Sequence, residues 1–128
     1  VRDWGYAPDY VKAMEMICFS DKKDDYVVAT NNTKTVRDFL KKSAQCIGFE
    51  PEFTGQGINE ICIDKKTNKT IMKIDSKYYR PLEVEFLRGD YSKINNELGW
   101  SPETNFDQMV EKMVSFDLKN YNSKNFFI

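Results

Sequence analysis

Arg80 and Glu83, three residues apart around Pro81, form the pair in this sequence best suited to hold a polar ligand. Arginine offers a planar, permanently charged fork of N–H donors, and a carboxylate accepts from hydroxyl and N–H groups alike. The same two side chains can instead close on one another as an exposed ion pair worth under about 1 kcal/mol, and residue type alone favours that second reading. Pro81 holds the backbone out of a helix, so it can present both groups toward a cleft. Arg2 is a further cation of the same kind, with Asp3 and Asp9 close enough in sequence to neutralise it. Trp4 and Tyr6 read as packing residues rather than stacking platforms, and Arg37 and Arg88 as surface charges.

Other chemistries are poorly served. The sequence has no histidine and no Cys-x-x-Cys, so the usual zinc sets cannot be assembled. Cys18, Cys46 and Cys62 are odd in number, widely spaced and flanked by apolar residues, which predicts reduced thiols in the core. Gly55-Gln56-Gly57 is a lone Gly-x-Gly with no glycine at position 60 and no helix signal after it, and reads as a bend rather than a dinucleotide loop. The residues four positions after the seven tyrosines are Tyr10, Met14, Thr30, Leu82, Glu83, Asn95 and Asn125, never the lysine of a Tyr-x-x-x-Lys pair. Nineteen basic and twenty acidic residues leave a net charge of -1, which favours neither a nucleic-acid nor an anionic-membrane partner. No apolar run reaches the ~18 residues needed to span a bilayer, so a cytoplasmic protein is expected.

The 128 residues, 41% hydrophobic and 14% aromatic, suffice for one globular domain with its own core, expected over 1–119 with a frayed tail at 120–128. Tyr10, Val11, Met14, Ile17 and Cys18 recur at helical spacing after Pro8 and predict a helix from Pro8 to Phe19. Tyr26-Val27-Val28-Ala29-Thr30 reads as a short buried strand. Thr35 and Asp38 form a capping box that opens a second helix with an apolar stripe of Val36, Phe39, Leu40, Ala44 and Ile47, ended by Gly48. Strands are expected around Phe53, at Ile58–Ile63 and at Thr70–Ile74, with a hairpin tip at Lys65–Lys69. Asp90 is placed to cap a short helix from Tyr91 to Leu98 closed by Gly99, and Thr104 with Asp107 repeats the capping-box spacing before a final helix. The order of elements implies an α/β fold with a small mixed sheet.

Arg2-Asp3-Trp4-Gly5-Tyr6-Ala7-Pro8-Asp9-Tyr10-Val11, followed in order by Asp25–Thr30, Thr35–Phe39, Tyr78–Val84, Gly89–Lys93 and Leu98–Trp100, resembles the GDP-mannose 4,6-dehydratases of the extended short-chain dehydrogenase/reductase superfamily. The likeness covers residues 2 to about 118. Arg88 and Tyr91 stand where an apolar residue and a proline are more usual in the family.

The resemblance implies the C-terminal, substrate-binding part of such an enzyme. The full-length relative uses NADP to convert GDP-mannose to GDP-4-keto-6-deoxymannose by internal redox and loss of water, and acts as a homo-oligomer. The cofactor loop and the catalytic residues lie upstream of the Arg-Asp-Trp motif in the family, so this chain is expected to be a truncated piece, inactive alone. Its helix from Pro8 should then expose an apolar face and leave the isolated fold marginal. The resemblance also reverses the reading of Arg80 and Glu83: they become contacts to the diphosphate and to ribose or guanine, and Arg2 becomes a second diphosphate ligand. An epimerase or reductase acting on a related nucleotide-sugar, or a non-catalytic nucleotide-sugar-binding module, remain the alternatives.

Overall fold

The computed structural model describes residues 1–80 and 84–122. Helix α1 (Ala7–Phe19) starts with Pro8 in its first turn, where a missing N–H costs nothing. Its inner face carries Ala13, with Tyr10, Met16 and Ile17 packing around it. These meet Ile94 of α3 (Ser92–Leu98) and Trp100 to form one core, in which Trp100 takes Tyr10 and Tyr91 edge-on at 6.2 and 5.8 Å. The outer face of α1 presents Ala7, Val11, Met14 and Cys18, all exposed, with Val11 and Met14 at 59% and 60%. The apolar face anticipated for this helix is therefore present.

A second core forms where α2 (Val36–Cys46) packs on α4 (Phe106–Asn122). Phe106, Met109 and Val110 are buried there against Trp4, Tyr6, Phe39 and Val114, and Trp4 stacks on Phe39 at 4.9 Å. Trp4 and Tyr6 thus pack against this second core, the role read for them from sequence. The Thr35–Asp38 capping box closes as expected: the Thr35 hydroxyl accepts from the Asp38 N–H at 2.9 Å, and the Asp38 carboxylate accepts from the Thr35 N–H at 2.9 Å.

Both sheets among the described residues are antiparallel, in place of the mixed sheet expected. β1 (Arg2–Asp3) pairs with β2 (Thr33–Lys34), and β3 (Pro51–Thr54), β4 (Ile61–Asp64) and β5 (Lys69–Lys73) form a three-stranded meander with an irregularity at Cys62/Ile63. Residues Gly57–Asn59 make a 3-10 turn, so the expected strand from Ile58 begins only at Ile61. Tyr26–Thr30 forms no strand: Ala29 is buried, but the segment has no ladder partner among the described residues. Cys62 lies in the core and burial raises its thiol pKa, whereas Cys18 and Cys46 are exposed, which corrects the expectation of three core thiols.

Two caps also differ. The Asp90 carboxylate accepts from the Ser92 N–H at 2.9 Å, so that helix begins at Ser92 rather than Tyr91. At α4 the reciprocal pair is Asn105 and Gln108, each side-chain oxygen accepting the other's backbone N–H at 2.9 and 3.0 Å, and not Thr104 and Asp107. The α4 helix continues through Asn122.

The β4–β5 turn hangs on Asp64, which is fully buried. Its carboxylate accepts from the N–H of Glu50 (2.8 Å), from the N–H and hydroxyl of Thr67 (3.1 and 2.7 Å) and from the N–H of Lys66 (3.4 Å). These bonds, the Glu50 amide first, hold its pKa below the ordinary carboxylate value. Asp38 is depressed by bonds from Thr35, Asp24 by Lys93, and Asp90 by Ser92. A group depressed by folding contributes fully above its unfolded pKa of about 3.9, and that contribution is lost as the pH falls through the lower folded value. Urea midpoints should therefore fall with acid below about pH 4, and Asp64→Asn should flatten that limb while lowering the neutral-pH midpoint. An acid limb as steep in the variant as in the parent would remove Asp64 from this role.

Candidate functional site

The amino-terminal strand and the chain after Glu83 lie side by side. The Val1 ammonium donates to the Glu85 carbonyl at 2.7 Å, and the Leu87 N–H donates back to the Val1 carbonyl at 3.1 Å. Between them the Arg2 guanidinium donates to the carbonyls of Val84 (2.6 Å) and Val1 (2.9 Å). Arg2 thus sits against the segment that immediately follows Arg80–Glu83. Arg2 therefore meets, at Val84, a stretch of chain four positions beyond Arg80.

Asp3 locks this arrangement. Its Oδ1 accepts from the Thr30 N–H (2.8 Å) and hydroxyl (2.6 Å), and its Oδ2 accepts from the Gly89 N–H at 3.3 Å. The close approach needs glycine at 89, because a Cβ there would fall 2.2 Å from the Ala29 Cβ. One carboxylate therefore ties β1 to both the Tyr26–Thr30 stretch and the segment leaving the site.

Arg80 is exposed and follows a 3-10 turn at Ser76–Tyr78, which Asp75 caps by accepting from the Lys77 N–H at 2.9 Å. Tyr78 and Tyr79 are exposed beside it. Glu83 lies outside the described residues. Arg80 thus offers an exposed, permanently charged fork directly after two exposed tyrosines in sequence, residue types that suit an anionic, ring-bearing ligand. The two tyrosines were not singled out by sequence, where an aromatic outside a helix or strand pattern gives no sign of which way it faces.

Neither acid proposed as an Arg2 partner is idle. Asp9 is buried and accepts from the N–H groups of Glu103 (3.1 Å) and Thr104 (2.8 Å), so its carboxylate is committed to the start of α4. Burial, aided by the charges of Asp3 and Asp9, raises the pKa of Tyr10. Arg37 is more than a bare surface charge: it pairs with Glu60 and lies over the Phe53 ring at 5.4 Å. Arg88 is exposed.

The Gly55-Gln56-Gly57 stretch forms a local bend. Gly55, with φ at 83°, turns so tightly that a Cβ would lie 2.3 Å from the Asn59 carbonyl oxygen, so its glycine serves the local turn. The turn leads to a 3-10 turn and a strand rather than to a helix N-terminus. Among the described residues no cluster of three His, Cys, Asp or Glu could hold a metal ion, and no helix is long and apolar enough to cross a membrane.

A family model described as GDP-mannose 4,6 dehydratase matches residues 1–113. The chain belongs to the GDP-mannose 4,6-dehydratase family. It is similar to the GDP-mannose 4,6 dehydratases of Cricetulus griseus, at 43% identity, and Homo sapiens, at 42%, each over 92% of this chain and 32% of the relative. The GDP-mannose 4,6-dehydratase of Yersinia enterocolitica is 41% identical over 93% of this chain and 35% of that protein. The chain thus spans about a third of the length of these curated relatives. Within the family frame, the Arg-Asp-Trp motif divides its labour: Arg2 reaches toward the Val84 segment, Asp3 joins three stretches of backbone, and the Trp4 indole N–H donates to the Lys34 carbonyl at 2.9 Å.

Replacing Asp3 by alanine removes the acceptor for two backbone amides and a hydroxyl. Hydrogen bonds to a charged group contribute about 1.5 to 3 kcal/mol each, so Asp3→Ala should cost roughly 3 kcal/mol in total. Amide hydrogen exchange should accelerate at Thr30 and Gly89 together. Unchanged protection at both amides would show that the carboxylate does not hold them.

Proposed function

We propose that this chain is the nucleotide-sugar-binding part of a GDP-mannose 4,6-dehydratase of the extended short-chain dehydrogenase/reductase superfamily, an enzyme of the cytoplasm. The observation that carries the proposal is the family match over residues 1–113, which takes in Arg2, Arg80 and the Val84–Leu87 stretch that lies beside the Arg2 strand. Arg80 holds the diphosphate of GDP-mannose with its planar fork, Arg2 adds a second cation, and Glu83 accepts from ribose hydroxyls or guanine N–H groups. The exposure of Arg80 supports that assignment, since its guanidinium is open to a ligand arriving from solvent.

NADP supplies the hydride acceptor and donor of the whole reaction. This sequence has neither a Gly-x-Gly-x-x-Gly loop nor a Tyr-x-x-x-Lys pair, so NADP and the proton relay belong to the remaining two thirds of the family's length. The 128-residue chain alone should accordingly show no turnover of GDP-mannose with NADP. The homo-oligomeric state expected for the full enzyme belongs to the same proposal.

Losing a group that binds ground state and transition state equally raises KM and spares kcat. In the full-length polypeptide, Arg80→Ala should weaken GDP-mannose binding by about 1.5 to 3 kcal/mol while leaving NADP binding unchanged. Arg80→Lys should recover part, because charge returns without the fork. Glu83→Gln, which keeps one acceptor oxygen, should be milder than Glu83→Ala. Calorimetry showing GDP-mannose affinity within about twofold of the parent for both alanine variants would overturn the assignment, since a lost charged hydrogen bond exceeds that.

A further inference from the structure

Residues 84–89 run beside β1 as a strap without helix or strand. Val84, Phe86 and Leu87 are each more than half exposed, so burial within this chain does little to place it. What holds the strap is a row of hydrogen bonds to Val1, Arg2 and Asp3. Val1 exchanges bonds with Glu85 and Leu87, the Arg2 guanidinium donates to the Val84 carbonyl at 2.6 Å, and the Asp3 carboxylate accepts from the Gly89 N–H at 3.3 Å.

We propose that Asp3 is a positioning residue for the nucleotide-sugar contact of Arg2, a role that rests on the reading of Arg2 and Arg80 as diphosphate ligands. The two oxygens of Asp3 have separate tasks. Oδ1, which accepts from the Thr30 N–H and hydroxyl at 2.8 and 2.6 Å, fixes β1, whereas Oδ2, on the Gly89 N–H, fixes the far end of the strap. The Arg2 guanidinium rests on the near end, at Val84, so its seat is defined while the strap keeps its distance from β1. An arginine fork recognises phosphate by geometry as well as charge, and a donor displaced by about an ångström loses much of that advantage.

Gly89 is an independent sign that this distance is closely set. A Cβ there would fall 2.2 Å from the Ala29 Cβ and 3.4 Å from the Val27 Cγ1, so the strap presses on the same 26–30 stretch that Asp3 holds through Thr30. A residue without a side chain lets the Gly89 amide come within reach of the carboxylate. Asparagine at position 3 would separate the two tasks. Its single amide oxygen can still serve Thr30, but the NH2 that replaces Oδ2 cannot accept from Gly89.

Calorimetry on the full-length polypeptide, with GDP-mannose and NADP as probes, tests this. Asp3→Asn should weaken GDP-mannose binding about fivefold and leave NADP binding unchanged. Gly89→Ala, which moves the strap without altering Asp3, should act in the same direction and carries the test should Asp3→Asn not fold. Asp64→Asn, which lowers stability at the β4–β5 turn, should leave GDP-mannose affinity as it was; an equal loss there would mean that lost stability alone explains the effect, and would overturn the positioning role. The deciding measurement is a cycle with Arg2→Ala, in whose background Asp3→Asn should change affinity by less than about twofold because the group it positions is gone. An undiminished effect in that background, or none in the parent, would overturn the proposal. Arg80→Ala separates this failure from failure of the underlying reading. A loss from Arg80→Ala with none from Asp3→Asn sinks the positioning role alone, whereas full affinity in both Arg80→Ala and Arg2→Ala overturns the ligand reading and the positioning role with it.

Discussion

The buried carboxylate of Asp9 is the constraint on which both cores depend. It sits near the start of α1, where an acid also favours the helix N-terminus, and it reaches across to the N–H groups of Glu103 and Thr104 at the threshold of α4. Its backbone carbonyl meanwhile accepts the Trp100 indole N–H at 3.0 Å. One residue therefore fixes the Trp100–Thr104 turn from two directions. That turn carries Trp100 into the α1–α3 core and aims Phe106 into the α2–α4 core, so the two clusters cannot slide independently. A charge buried in this way is tolerated because three donors, two backbone N–H groups and the Thr104 hydroxyl, face it.

Asp3 plays the corresponding part for the surface that bears Arg2 and Arg80. It is satisfied by backbone and hydroxyl donors, and its partners lie in segments without regular secondary structure. Chain that lacks a ladder or a helix must find its hydrogen bonds elsewhere, and a carboxylate with two oxygens can serve two strands of it at once. Arg2, on β1, is thus mounted beside irregular backbone held by one acid, with Gly89 permitting the approach. Such an arrangement places precise chemistry on loops while leaving the helices to supply rigidity.

The sequence revealed what local physics decides. Thr35 and Asp38 act within four residues, so the capping box formed as read, and α1 began at Ala7 with its proline in the first turn. The same Thr-x-x-Asp spacing at Thr104 and Asp107 failed because Thr104 is claimed by Asp9, 95 residues away, and the cap passed to Asn105 and Gln108. Tyr26–Thr30 has strand-forming residues, but a strand is defined by a partner, and propensity carries no information about whether one is present. Cys18 looked like a core thiol because its helix is apolar on more than one side, and only the packing shows which side is covered. For the site, residue type alone favoured an ion pair between Arg80 and Glu83, and the motif order pointed to the family and to ligand contacts; the roles of Asp3 and Asp9 required tertiary contacts that no spacing encodes.

The exposure of Arg80 bears on how strongly the proposed ligand contact would hold. A guanidinium in open solvent meets a phosphate through a high dielectric, where two unit charges 4 Å apart gain only about 1 kcal/mol, against several times that at a partly desolvated surface. Screening by salt weakens the exposed contact further. The described residues give Arg80 its position but no wall to exclude water from it. On the opposite count, α1 offers an uncovered apolar stripe of Val11, Met14 and Cys18 that is costly to leave in water. Covering that stripe with further protein would stabilise the fold, and any protein brought against this chain that also shielded Arg80 would strengthen its hold on an anion. Stability and affinity would then be gained in a single act of assembly, which gives a physical reason for a nucleotide-sugar site to be shared between parts of one enzyme rather than completed within a third of it.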